Sequence, residues 1–190
     1  MSRCISQISE ITHHLLSVSP NTLDHLKEAR LLFETGMVAL AARQASKNDV
    51  AMLNDAVAAH AEAAATDLDR FLEKDMLFHR CIASISGNPI YEALAQALFD
   101  WLGRFHSDVV RLHGAELLTL AEHRRIVARI AVHDEKGAVR AMIAHLTRAN
   151  KRYAKIAAAN STIHSAAPSR GEIRASTKLG KTANIGRKRR

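Results

Sequence analysis

The chain has 190 residues, 47% of them hydrophobic and 4% aromatic, and a formal net charge of +8. That length suits one domain with a tail, and two cysteines, Cys4 and Cys81, exclude a disulfide scaffold and indicate a reducing, cytoplasmic setting. The charge is not spread evenly: from Asn160 onward eight basic residues stand against one acid, Glu172, so the first 159 residues are close to neutral and any nucleic-acid inference attaches to the tail alone.

Ala and Leu dominate, β-branched runs are absent, and only eight Gly and three Pro interrupt the pattern. An all-α protein follows, an antiparallel bundle of about six to seven helices. No window has the length and purity of a membrane-spanning helix, and Met1 to Ile5 lead into no apolar signal region. Residues 3–17 read as a short helix with Ile5, Ile8, Ile11 and Leu15 on one face, broken by Ser17 to Asn21. A second helix runs from Thr22 to about Ser46, with Leu23, Leu26, Arg30, Phe33, Met37 and Leu40 inward. Gly36 costs this helix about 1 kcal/mol against Ala, which suggests a close helix crossing there. A third runs from about Asp49 to Ala65, burying Met52, Leu53, Val57, Ala58 and Ala59. Cys81 is read as a small apolar residue of the fourth helix.

That fourth helix spans the run Asp67 to Ser86, capped by Thr66 and ended by Gly87 in the left-handed conformation. Leu68, Phe71, Leu72, Phe78, Ile82 and Ile85 recur at spacings of three and four. Asp75 and His79 fall in the same stripe, one turn apart, so a carboxylate and an imidazole point inward together. Asn88 caps the next helix and Pro89 opens it. Its inward positions are read as Ile90, Leu94, Ala97, Trp101, Arg104 or Phe105, and Val109, and His113-Gly114 closes it. A helix from about Ala115 to His133 buries Leu120, His123, Val127 and Ile130. Asp134 caps the last helix, which buries Ala138, Met142, His145, Ala149, Tyr153 and Ile156. Beyond about Asn160 periodicity is lost. The chain thus divides into a short helix and linker (1–21), a bundle (22–158) and a disordered basic tail (159–190).

Asp75, His79, His123 and His145 interrupt apolar stripes on three helices. Imidazole and carboxylate together suit a divalent transition metal, and facing helices of a bundle build such sites in their core. Zn²⁺ fits the donors; Ni²⁺, Mn²⁺ and Fe²⁺ fit them too. On the residues alone this reading and that of hydrogen-bonded core histidines stand level. The remaining histidines, His13, His14, His25, His60, His106, His113, His133 and His164, are for the most part surface candidates. A metalloenzyme would need a general base, and no inward carboxylate besides Asp75 is placed for it.

The order of motifs resembles the C-terminal effector-sensing (FCD) domain of the FadR-type branch of the GntR transcription regulators. The matching pieces are Lys27 to Glu34, Asp75-Met76-Leu77-Phe78-His79, Ser86-Gly87-Asn88-Pro89, Glu122-His123-Arg124-Arg125-Ile126, and Asp134 to Ala138 leading into Met142 to Leu146. The stretch from Asn88 to Leu102 looks most like the sialic-acid-responsive repressors of that family. The resemblance implies a metal held by Asp75, His79, His123 and His145 that helps bind a small carboxylate-bearing effector, a sugar acid or organic acid. It implies a homodimeric sensor and not an enzyme. Arg30 and Arg104 are candidates for the effector's carboxylate or hydroxyls, with Asn88 as a further contact. The alternatives are a pair of Arg30 with Glu34 or Asp75, a bundle-edge place for Arg104, and a purely capping role for Asn88. Regulators of this kind begin with a winged helix-turn-helix of roughly seventy residues. About twenty residues precede the body here, so DNA reading is expected only where that domain is supplied. The basic tail would add at most weak, salt-sensitive phosphate binding.

Overall fold

The computed structural model describes residues 22–64, 66–109 and 116–165, with side chains described for 24–64, 66–100, 102 and 116–150. The described residues form six helices and no strand: α1 (Thr22–Gln44), α2 (Lys47–Ala64), α3 (Leu68–Ser84), α4 (Pro89–Val109), α5 (Glu116–Ala131) and α6 (Glu135–Ser165). The short helix expected at 3–17, the end of α4 at His113-Gly114 and most of the basic tail lie outside the described residues. The backbone of α6 continues to Ser165, past the point near Asn160 where the sequence loses its period. No described helix is long and apolar enough to cross a membrane.

The joints follow local chemistry. Asp67, not Thr66, caps α3: its backbone is extended, and its carboxylate accepts from the Asp69 N–H at 2.8 Å. Thr66 instead turns its hydroxyl back onto the carbonyls of Glu62 and Ala63. Gly87 sits at φ 66° and closes the turn after α3. Asn88 Oδ1 accepts from the Ile90 N–H at 3.0 Å, which caps α4 as its sequence requires. His133 occupies the left-handed region (φ 55°), and its Nδ1–H donates to the Ala42 carbonyl of α1 at 2.8 Å. The α5–α6 corner is thereby tied to α1 at a residue the sequence placed on the surface.

Packing runs α1 on α6, α2 on α3 and α5, α5 on α6, and α4 on α3. The core between them holds Leu26, Val38, Leu53, Phe78, Ile82, Phe99, Ile126, Ile130, Met142 and Leu146. Helix α4 faces the core differently from the sequence reading. Ala95, Phe99 and Leu102 are buried, while Ile90 (65% exposed) and Leu94 point outward. This helix carries two apolar stripes, and periodicity alone does not choose between them. On α1 the buried line is Leu26, Arg30, Glu34, Met37, Val38 and Ala41, so an acid joins the interruption already seen at Arg30.

Two helical glycines, Gly36 and Gly137, behave oppositely. A methyl group at Gly36 would meet nothing within 4 Å, so no close crossing explains it. At Gly137 a Cβ would lie 2.0 Å from Asp134 Oδ2, the carboxylate whose other oxygen accepts from the Gly137 N–H at 2.8 Å. Gly36→Ala is therefore expected to stabilise the fold by about 1 kcal/mol through helix propensity. Gly137→Ala displaces the cap and is expected to destabilise by about 1 kcal/mol. Urea unfolding of the two variants measures both signs.

Candidate metal centre

Asp75 and His79 stand one turn apart on α3, His123 on α5 and His145 on α6. One ligand atom from each comes within 4.8 Å of the others. His123 Nε2 lies 3.4 Å from His145 Nε2 and 3.5 Å from Asp75 Oδ1. Metal–ligand bonds of about 2.0–2.1 Å in a tetrahedral arrangement set ligand atoms about 3.3–3.4 Å apart, so these separations match an ion's edge. The three rings are buried, with side-chain exposures of 1%, 0% and 4% for His79, His123 and His145. Asp75 keeps 17% and opens the cluster toward solvent. The Phe78 ring stacks on His123 with centroids 4.0 Å apart, fixing that imidazole's plane.

What surrounds the rings decides which nitrogen each can offer. His145 Nδ1–H donates to Glu122 Oε2 at 2.8 Å. Glu122 also accepts from Arg148 Nε–H and Nη2–H, both at 2.7 Å, and Arg148 reaches Thr119 Oγ1 at 3.0 Å. On the other side, Glu34 Oε2 lies 2.6 Å from His79 Nδ1, an ion-pair distance without hydrogen-bond alignment, and Glu34 Oε1 accepts from Arg30 Nε–H at 2.6 Å. A carboxylate can only accept, so each places the ring proton on Nδ1. The Nε2 lone pairs of His79 and His145 are then left for the cluster. His79 Nε2 is buried and has no hydrogen-bond partner among the described residues.

Burial raises the Glu34 carboxyl, but the Arg30 guanidinium and the His79 ring together outweigh it and hold the group at about 2. Asp75 shows the same balance: burial pushes it up, and His79, His60 and His145 pull it below the ordinary range. His123 is driven well below the usual imidazole value by burial, then by its neighbours His145 and His79. His145 is lowered by burial against the opposing pull of Glu122. His60 falls to about 4, again chiefly through burial. Ionised Asp75 and the disfavoured protonation of His123 and His145 leave these donors in the states that ligate a cation. Two Nε2 lone pairs aimed at one point repel each other unless something positive lies between them. The donor set therefore fits a divalent ion.

A family model described as the FCD domain matches residues 25–148. The chain belongs to the FCD-domain family. The repressor NanR of Salmonella schwarzengrund is 34% identical over 144 residues, covering 75% of this chain and 54% of that protein. NanR of Klebsiella aerogenes is 33% identical over 144 residues, covering 75% and 55%. The chain thus spans about half the length of the curated relatives it matches. Those relatives are named as transcriptional repressors, not enzymes. Among solved structures, E. coli McbR/YncC superposes with a TM-score of 0.64 at 18% identity, covering 73% of this chain and 70% of that one. Streptococcus agalactiae GntR gives 0.62 at 22%, covering 71% and 62%. These two likenesses show the fold.

Within this FCD domain the expected quartet comes together. Of the other named residues, Arg30 meets Glu34 and lies with its guanidinium carbon 5.6 Å from the Phe99 ring centroid. Asn88 is engaged as the α4 cap. Arg104 and Trp101 lie on the α4 backbone, with side chains outside the described residues. The sequence reading missed three members of the surrounding network. Glu34 was weighed only as a mate for Arg30, and Glu122 was quoted in a motif but given no role. His60, grouped with the mostly surface histidines, is fully buried. The spacing Leu53, Val57, His60 on α2 carried the signal.

The Arg30–Glu34 pair is 4% and 3% exposed, so removing one partner strands a buried charge. Glu34→Leu is expected to cost about 3–5 kcal/mol. The double variant Arg30→Met with Glu34→Leu is expected to cost markedly less. Guanidinium unfolding of the metal-free proteins measures the difference.

Proposed function

We propose that this chain is the metal-containing, small-acid-sensing part of a GntR-family transcription regulator. The convergence of Asp75, His79, His123 and His145, with carboxylates behind two of the rings, is the observation that carries the reading. Zinc is the proposed ion, since three imidazoles and a carboxylate are donors it accepts. When bound, the ion would supply positive charge and, by expanding its coordination beyond the four protein ligands, a place for an acidic ligand. Asp75 and the three rings hold and orient it, while Glu34 and Glu122 keep His79 and His145 in the ligating tautomer.

The charge balance supports a monocarboxylate effector. Glu34 is matched by Arg30 and Glu122 by Arg148. Asp75 alone then stands against a divalent ion, leaving about one positive charge for the ligand. The resemblance of Asn88 to Leu102 to sialic-acid-responsive repressors supports a sugar acid of the sialic class. Next to the cluster, the crevice bounded by Phe33, Glu34, Met37, His79, Phe99 and Met142 has no room for a water molecule. Entry of a sugar acid would require these side chains to separate, and contact with Arg30 would require opening its pair with Glu34. Such a rearrangement of α1 against α3 and α4 is a two-state element that a ligand can bias. Dimerisation belongs to the same proposal and rests on the family resemblance.

Elemental analysis of purified protein is expected to find about one zinc per chain, and His79→Ala and His145→Ala are expected to lose it. Calorimetric titration with N-acetylneuraminate and with simple organic acids is expected to show saturable binding without product. Chelation should abolish that binding. A parent protein free of metal, or acid binding indifferent to chelation, would remove the proposal.

A further inference from the structure

Behind His79 and His145 stand carboxylates, but behind His123 stands another imidazole. His60 is 0% exposed, and its Nδ1 lies 3.3 Å from His123 Nδ1. Its ring sits against Phe71, centroids 3.9 Å apart, and its Nε2 is buried without a hydrogen-bond partner among the described residues. Leu53 and Val57 precede it at helical spacing, so an apolar side chain would satisfy the packing there. A buried ring with one nitrogen unmatched carries a cost that Leu or Phe would not.

We infer that His60 is the positioning residue that fixes the tautomer and orientation of His123, accepting its Nδ1–H so that Nε2 presents a lone pair to the cluster. Two facing nitrogens at 3.3 Å share one proton. Once His123 Nε2 faces His145 Nε2 and Asp75 as a ligand, that proton belongs on His123 Nδ1. His60 Nδ1 is then the acceptor, and its own proton sits on Nε2. A neutral acceptor is what the charge balance allows. A third outer carboxylate with no arginine beside it would cancel the positive charge left for an acidic effector. The inference rests on the metal reading above, and asks which residue outside the quartet sets its affinity.

The test compares zinc affinity by chelator competition in the parent, His60→Phe and His60→Asn. Phe keeps a ring against Phe71 but accepts nothing. Asn sets an amide oxygen close to where the His Nδ1 stands. His60→Phe is expected to weaken zinc binding about 10–100-fold, and His60→Asn to restore it to within about threefold of the parent. Long-range ¹H–¹⁵N spectra of the zinc-loaded parent should show His123 protonated at Nδ1, a readout that packing alone would not move and that needs no variant to fold. Parental affinity in His60→Phe, or an unprotonated His123 Nδ1, overturns the inference while leaving the metal reading intact. A second zinc per chain shared by the two Nδ1 atoms also overturns it. No zinc uptake by the parent overturns both.

Discussion

Two carboxylates, Glu34 buried and Glu122 partly buried, govern the centre of this molecule. Each accepts only, so each draws a ring proton outward, and the Nε2 lone pairs of His79 and His145 are left on the side where His123 Nε2 lies. Buried acids of this kind are costly unless matched, and each has an arginine: Arg30 from its own helix, Arg148 from α6. The arginines hold the acids ionised, the acids orient the rings, and the rings are left with unshared electron pairs in a dry interior. Apolar packing by itself would hold these helices together as well or better. The polar set is what the metal proposal accounts for.

The bundle serves this arrangement through helix placement. α3 supplies Asp75 and His79 one turn apart, α5 and α6 bring the other two rings, α1 brings the Arg30–Glu34 pair, and α2 brings His60. α4 contributes the Phe99 ring beside both His79 and Arg30. Cluster and crevice thus share His79, with Glu34 of the crevice against its ring, so a change at one is felt at the other without any long pathway. The tightness of the crevice gives the sensing proposal its content: a ligand that enters must move helices.

Much of this was legible in the residues. Asp75, His79, His123 and His145 announced themselves by interrupting apolar stripes, and the caps at Asn88-Pro89 and Asp134 fixed helix starts within a residue or two. Less legible were the residues behind the ligands. Glu34 lies one turn from Arg30, and a salt bridge at that spacing is common on solvated faces, so nothing in the spacing says that the pair is buried. His60 follows Leu53 and Val57 in register, but the alanines around it dilute the pattern. On α4 the competing stripes Ile90–Leu94 and Ala95–Phe99–Leu102 are nearly equal, and only packing against α3 decides between them. Gly36 shows the opposite failure, an apparent packing signal with open space around it.

X-ray absorption at the zinc edge of the metal-loaded protein tests the central claim most directly. The account predicts a first shell of nitrogen and oxygen alone at about 2.0–2.1 Å, with the multiple-scattering signature of three imidazoles. A sulfur ligand at about 2.3 Å, or a shell of oxygens with one imidazole or none, would contradict it.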